Sequence, residues 1–331
     1  MKKLLALVLA LTLLASLPLL ASCNQPIEPD ADLEIRVWTL NGTTGFGMAQ
    51  LIDADKNGTA ALNYTFTVET AATNVRDALI NGTADIGAVP TNVASALYNA
   101  TKGEVLLLAL NTRGVLYLVA NTGNVTAPTS LADLAGKTVY VPAQNPTFIT
   151  KALLEKAEVA NVTIDSTTYA EPAALQTALA SGLVDYAVLP EPMVTIAKNR
   201  AAQADVSLSE NPLNLTAEWD KYFEEGSLVQ GCVVVRKAFA EAHPAEVAKF
   251  LEEYEASISY VNENPKEASQ MIVSAGIFAQ APVAESAIPR CNLCFVAGAD
   301  MKTAMNAFLA AMPANSIGGA VPDDGFYYVA Q

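Results

Sequence analysis

A thirteen-residue segment occurs twice in this chain, 100 residues apart, and it constrains the fold more than any other feature. The first copy runs from Ala78 to Pro90 (ALINGTADIGAVP) and the second from Ala178 to Pro190 (ALASGLVDYAVLP). Ala, Leu, Gly, Asp and Pro recur in register, at Ala78, Leu79, Gly82, Asp85 and Pro90 and again at Ala178, Leu179, Gly182, Asp185 and Pro190. Each copy reads as a helix tail stopped by glycine, the usual left-handed C-cap. Asp then leads into a short apolar run that fits a buried parallel strand, and Pro ends it. A second helix follows, from Thr91 to Ala100 in one copy and from Met193 to Arg200 in the other. Helix, strand and helix in that order suit a layered α/β fold, whose ligands bind beyond the carboxyl ends of the strands. Two copies predict two similar lobes.

Size agrees with two lobes, because a chain of 331 residues exceeds what one hydrophobic core normally organises. Residues 1–22 have the pattern of a signal peptide. Lys2 and Lys3 are followed by the nearly unbroken apolar run Leu4–Leu20 and then by Leu20-Ala21-Ser22-Cys23. That tetrapeptide resembles the bacterial lipobox, which predicts Cys23 as a lipid-attachment site at the start of the mature chain. An uncleaved anchor is the alternative, since the apolar run nearly suffices to span a bilayer. Residues 23–32 read as a polar tether. The expected destination is the outer face of the cell membrane.

The net charge of −15, with 34 acidic against 19 basic residues, argues against nucleic acid and against adhesion to anionic lipid. Three cysteines remain besides Cys23: Cys232, Cys291 and Cys294. One disulfide plus a thiol, or three thiols, both fit. Cys291 and Cys294 have metal-ligand spacing, but a zinc site needs about four ligands and the chain has one histidine. No metal or cofactor is expected.

In chain order, Leu33–Leu40 and Tyr64–Glu69 read as strands around a helix at Phe46–Ile52, with the first repeat strand next. Short βα connections of this kind predict a parallel sheet. Two apolar runs, Val105–Leu110 and Val115–Ala120, flank Asn111-Thr112-Arg113-Gly114, and the second run is expected to cross into the other lobe. That lobe begins as the first did, with a strand ending at Pro142, a turn at Gln144-Asn145-Pro146-Thr147 and a helix from Phe148. The resulting division is lobe 1 at 33–114, lobe 2 at 115–235, and a C-terminal helical region at 236–331 packing back mainly on lobe 1.

Several of these stretches resemble a known family. Ser130-Leu131-Ala132-Asp133-Leu134-Ala135-Gly136-Lys137-Thr138-Val139, the two Gly-x-x-Asp–strand–Pro units and the lipobox are similar to the type II solute-binding proteins of ABC importers. Glu191-Pro192 after the second repeat strand resembles the nitrate, taurine, aliphatic-sulfonate and thiamine-precursor branch. So do the return strand Gly231–Val235 before Arg236-Lys237-Ala238-Phe239 and the helix from Pro244 to Ile258. The resemblance covers residues 33–275 and implies a two-lobed α/β fold, each lobe a mostly parallel sheet flanked by helices and joined by crossing strands. It implies a monomeric capture protein that closes on a small polar or anionic molecule and hands it to ABC permease subunits.

In such a fold the candidate ligand residues are loop positions at strand carboxyl ends. Asn41, Thr43, Thr44 and Gly45 follow the first strand, and Thr91 and Asn92 follow the first repeat. Gln144, Asn145 and Thr147 follow the first strand of lobe 2, Glu191 follows the second repeat, and Thr112 lies at the crossing. Arg290 joins them if the tail folds over the cleft. The repeat aspartates read as structural. A tethered sensor or adhesion module with the same fold is the alternative function. An enzyme resembling a thiamine-pyrimidine synthase is disfavoured, because a single histidine, His243, leaves no catalytic constellation.

Overall fold

A computed structural model describes residues 28–329, so the signal segment and Cys23 lie outside the described residues. The chain opens with β1 (Glu34–Leu40), α1 (Thr43–Phe46), α2 (Ala49–Lys56), β2 (Asn63–Glu69), α3 (Ala72–Asn81), β3 (Ile86–Pro90), α4 (Thr91–Thr101) and β4 (Val105–Arg113). It crosses at Gly114 into β5 (Leu116–Ala120), β6 (Thr138–Tyr140), α5 (Asn145–Lys156) and β7 (Thr163–Asp165). Then come α6 (Pro172–Ala180), β8 (Tyr186–Pro190), α7 (Met193–Gln203), β9 (Leu213–Asn214) and α8 (Leu215–Tyr222). It returns through β10 (Val229–Arg236) to α9 (Lys237–Ala242), α10 (Pro244–Glu263), α11 (Pro265–Ser274), α12 (Ala281–Ala287), β11 (Leu293–Val296) and α13 (Gly298–Ala310).

Two sheets result, in the orders β2-β1-β3-β10-β4-β11 and β7-β6-β8-β5-β9. The repeat occupies the same place in both. Each repeat strand, β3 or β8, has a parallel neighbour on one side and an antiparallel neighbour on the other. Gly82 and Gly182, at φ 80° and 72°, take the left-handed conformation that ends the preceding helix. The two lobes expected from the repeated segment are therefore the two sheets with their helices.

Two local expectations change. The helix after β1 starts three residues early, at Thr43, and is interrupted before α2. Residues 229–235, grouped with lobe 2 in the sequence division, form with Arg236 a strand that hydrogen-bonds between β3 and β4 of the first sheet. Its run of buried valines matches a strand covered on both faces, which the middle of the larger sheet provides. The C-terminal region packs α10 and α11 against α2, adds β11 as an edge strand and touches α7 of lobe 2 through α12. Residues 313–328 then wrap along α4: Asn92, Ser95 and Asn99 donate to backbone carbonyls there, and Phe326 is fully buried.

Gly114 marks the crossing. A Cβ there would stand 2.2 Å from Thr216 Oγ1 and 2.5 Å from Leu228 Cδ2, while the Thr216 hydroxyl donates to Gly114 O at 3.0 Å. Overpacking of this kind costs about 1–3 kcal/mol. Gly114→Ala should therefore lower the unfolding free energy by that amount, read as a lower urea midpoint at unchanged slope. An unchanged midpoint would show that the crossing relaxes freely.

Candidate functional site

The lobes face each other at the carboxyl ends of β1 and β3 on one side and of β8 and β6 on the other. Two side-chain hydrogen bonds pair strand-end loops across the junction. Thr43, in α1 just after β1, donates its hydroxyl to Glu191 O after β8 at 2.8 Å. Asn145, at the start of α5 after β6, donates Nδ2 to Asn92 Oδ1, at the start of α4 after β3, at 2.7 Å. Each contact pairs the loop after the first parallel strand of one lobe, β1 or β6, with the loop after the repeat strand of the other, β8 or β3. These four are among the eleven candidates the sequence reading names, and the fold brings them together in pairs.

Glu191 is the most heavily bonded of them. Its N–H donates to Val115 O at 3.0 Å, which pins the residue to the crossing just ahead of β5. Its carboxylate is wholly buried and accepts from Thr195 N–H at 3.1 Å and from Thr195 Oγ1 at 2.9 Å. Lying just ahead of α7 and accepting from its first turn, the carboxylate also meets the positive end of the helix dipole. Arg290 supplies the counter-charge, with Nε 2.6 Å from Glu191 Oε1 and Nη2 2.7 Å from Thr195 Oγ1. The Tyr117 hydroxyl donates to Arg290 O at 2.9 Å. The tail thus folds over the cleft, and Arg290 spends its charge on Glu191.

Burial and the nearby Glu191 charge shift neighbouring groups. Tyr117 is pushed up to about 12, first by burial and then by Glu191. Burial also raises the Cys291 thiol well above its ordinary value, with Glu191 adding to the effect. Burial raises Cys294 to about 11. Cys232, Cys291 and Cys294 are free thiols. Among the described residues no His, Cys, Asp and Glu cluster has the arrangement to hold a metal ion.

The remaining candidates serve within one lobe or at its surface. Thr44 O accepts from Asn111 Nδ2 at 3.3 Å, and Thr112 Oγ1 donates to Asn111 Oδ1 at 3.0 Å, so both meet at Asn111. Thr91 Oγ1 donates to Val229 O at 2.8 Å and Thr147 Oγ1 to Pro142 O at 2.7 Å. Gly45 lets the turn close, because a Cβ would sit 2.0 Å from Leu40 O. Asn41 and Gln144 are exposed, Gln144 with a φ of 65° where α5 begins. Sequence reasoning missed Thr195, Tyr117 and Asn111. Thr195 alone left a signal, standing four residues after Glu191 across a proline-started turn.

Residues 105–268 match the family model described as NMT1/THI5 like. That matched stretch contains Glu191, Thr195 and Asn145, whereas Thr43, Asn92 and Arg290 come from the flanking chain. The fold is that of the periplasmic binding proteins. An ABC transporter structure from Parabacteroides distasonis superposes with a TM-score of 0.76 at 23% identity, covering 91% of this chain and 100% of that one. The periplasmic aliphatic sulphonate binding protein from Escherichia coli gives 0.69 at 13% identity, with 90% and 92% covered. An alkanesulfonate-binding protein from Xanthomonas axonopodis pv. citri, bound to MOPS, gives 0.59 at 15% identity, with 86% and 96% covered. No curated protein sequence matches this chain.

Proposed function

We propose that this chain is the solute-binding lipoprotein of an ABC importer, anchored outside the cell membrane through Cys23 and acting as a monomer. It captures a small polar molecule between its lobes and presents it to a permease. The observation that carries this reading is the pair of cross-lobe contacts, Thr43 with Glu191 and Asn92 with Asn145, at the strand ends where such folds hold ligands. Binding, not catalysis, suits these groups. Hydroxyls, amides and one compensated ion pair orient and enclose a solute, and His243 sits between α9 and α10 against Phe239. Among the described residues no helix is long and apolar enough to cross a membrane.

The division 1–22 signal, 23–32 tether and two lobes with a C-terminal region belongs to the same reading. A thermal-shift screen of sulfonates, nitrate, vitamin precursors and other small metabolites tests it. A true ligand raises the melting temperature in proportion to its saturation. Absence of any stabilising solute would remove the capture reading. Retained lipid labelling in Cys23→Ala would remove the anchor.

A further inference from the structure

The orientation of the amides at the Asn92–Asn145 contact is determined by its surroundings. Asn92 Nδ2 donates to Ser316 O at 3.3 Å, and a backbone carbonyl can only accept. Asn92 must therefore turn Oδ1 toward Asn145, which must answer with Nδ2. The consequence falls on the far atom. Asn145 Oδ1 is left buried without a hydrogen-bond donor. Flipping the Asn145 amide does not help, because it would set two carbonyl oxygens against each other. Two other buried side-chain atoms among the described residues lack partners, Thr39 Oγ1 and Gln176 Nε2, and each belongs to a single lobe. Asn145 stands at the junction.

A buried acceptor without a donor costs free energy that a bound donor recovers. The charge at the junction gives an independent constraint. Among the described residues, Arg290 is the cation paired at the junction, and its Nε already faces the buried Glu191 carboxylate at 2.6 Å. The pair is balanced, so an incoming anion would bring in uncompensated charge beside a buried carboxylate.

We infer that the cleft takes a solute without net negative charge that presents an N–H or O–H group, and that Asn145 Oδ1 accepts this donor. The inference rests on the capture reading above. Amides, amino alcohols and nitrogen heterocycles meet the requirement. Alkanesulfonates and nitrate, which have no donor and carry negative charge, do not.

The test is calorimetric and thermal-shift titration of the purified full chain in detergent. Amides, amino alcohols and N–H heterocycles form one probe set; methanesulfonate, ethanesulfonate and nitrate form the other. Stabilising solutes are expected in the first set only. Asn145→Ala should weaken the best of them about tenfold more than Asn92→Ala does. Asn92→Ala also removes the cross-lobe bond but leaves the Asn145 acceptor in place, so it controls for simple loss of closure. Equal weakening in the two variants overturns the role of Asn145. Binding of the donor-free anions overturns the solute class while leaving capture intact. Failure of every probe to bind overturns capture and this inference together.

Discussion

Arg290→Ala should destabilise the protein by about 2–3 kcal/mol, more than Glu191→Gln, although the two residues form one ion pair. The asymmetry follows from burial. The Glu191 side chain is 0% exposed and the Arg290 side chain 41%. Without Arg290, the carboxylate keeps only the N–H and hydroxyl of Thr195 in a site closed to water. Without the Glu191 charge, Arg290 turns toward solvent at little cost, and the glutamine still accepts from Thr195. The figure lies below that of a fully buried pair because Arg290 is partly solvated already.

Urea unfolding of both single variants and the double variant measures the difference. The double variant should be more stable than Arg290→Ala alone, since no charge remains stranded. Small-angle scattering should also show a more open Arg290→Ala protein, because lobe separation lets water reach Glu191. Equal losses in the two single variants would refute the argument from burial.

Asp85→Ala should cost about 3 kcal/mol, whereas Asp185→Ala should cost under about 1 kcal/mol. The two aspartates hold the same position in the repeat, yet their surroundings differ. Asp85 is 3% exposed and accepts from Arg36 N–H at 3.1 Å, Arg36 Nε at 2.8 Å and Arg36 Nη2 at 2.5 Å. Its carboxylate satisfies the N–H of Arg36, just ahead of the β1–β3 pairing that starts at Val37 and Ile86. Arg236 Nη1 approaches it at 3.8 Å as well. The Asp185 carboxylate accepts from Asn124 Nδ2 alone, at 3.0 Å on the surface. Chemical denaturation of the two alanine variants checks the contrast. Comparable losses would mean that the repeat, and not the tertiary setting, controls the energetics. Because Asp85 lies at the start of its strand, far from the loop that reaches the cleft, its loss should leave solute affinity unchanged in the folded fraction.

Much of the architecture was legible because it depends on local patterns. The apolar runs Ile86–Val89 and Tyr186–Leu189, each bounded by a left-handed glycine and a proline, specify strands wherever they are placed. Thr43, Asn92, Asn145 and Glu191 were recognisable as loop residues beyond strand ends for the same reason. Their partners were not. Thr195, Tyr117 and Asn111 are ordinary residues within a helix or strand, and only tertiary packing gives them a role. The placement of Val229–Arg236 was also hidden, since five consecutive buried residues fit the middle of either sheet.

The repeated segment with which the chain declares itself shows the division most clearly. By itself the sequence determined two helix–strand–helix units, their glycine stops and the loops that follow Pro90 and Pro190, because backbone conformation and apolar periodicity are properties of neighbouring residues. Only the tertiary structure decided that one repeat aspartate is buried against Arg36 and the other is solvated, and that Glu191 takes its counter-charge from Arg290, 99 residues away. Hydrogen-bond partners and burial depend on which surfaces are pressed together. Chain order does not encode that until the lobes have closed.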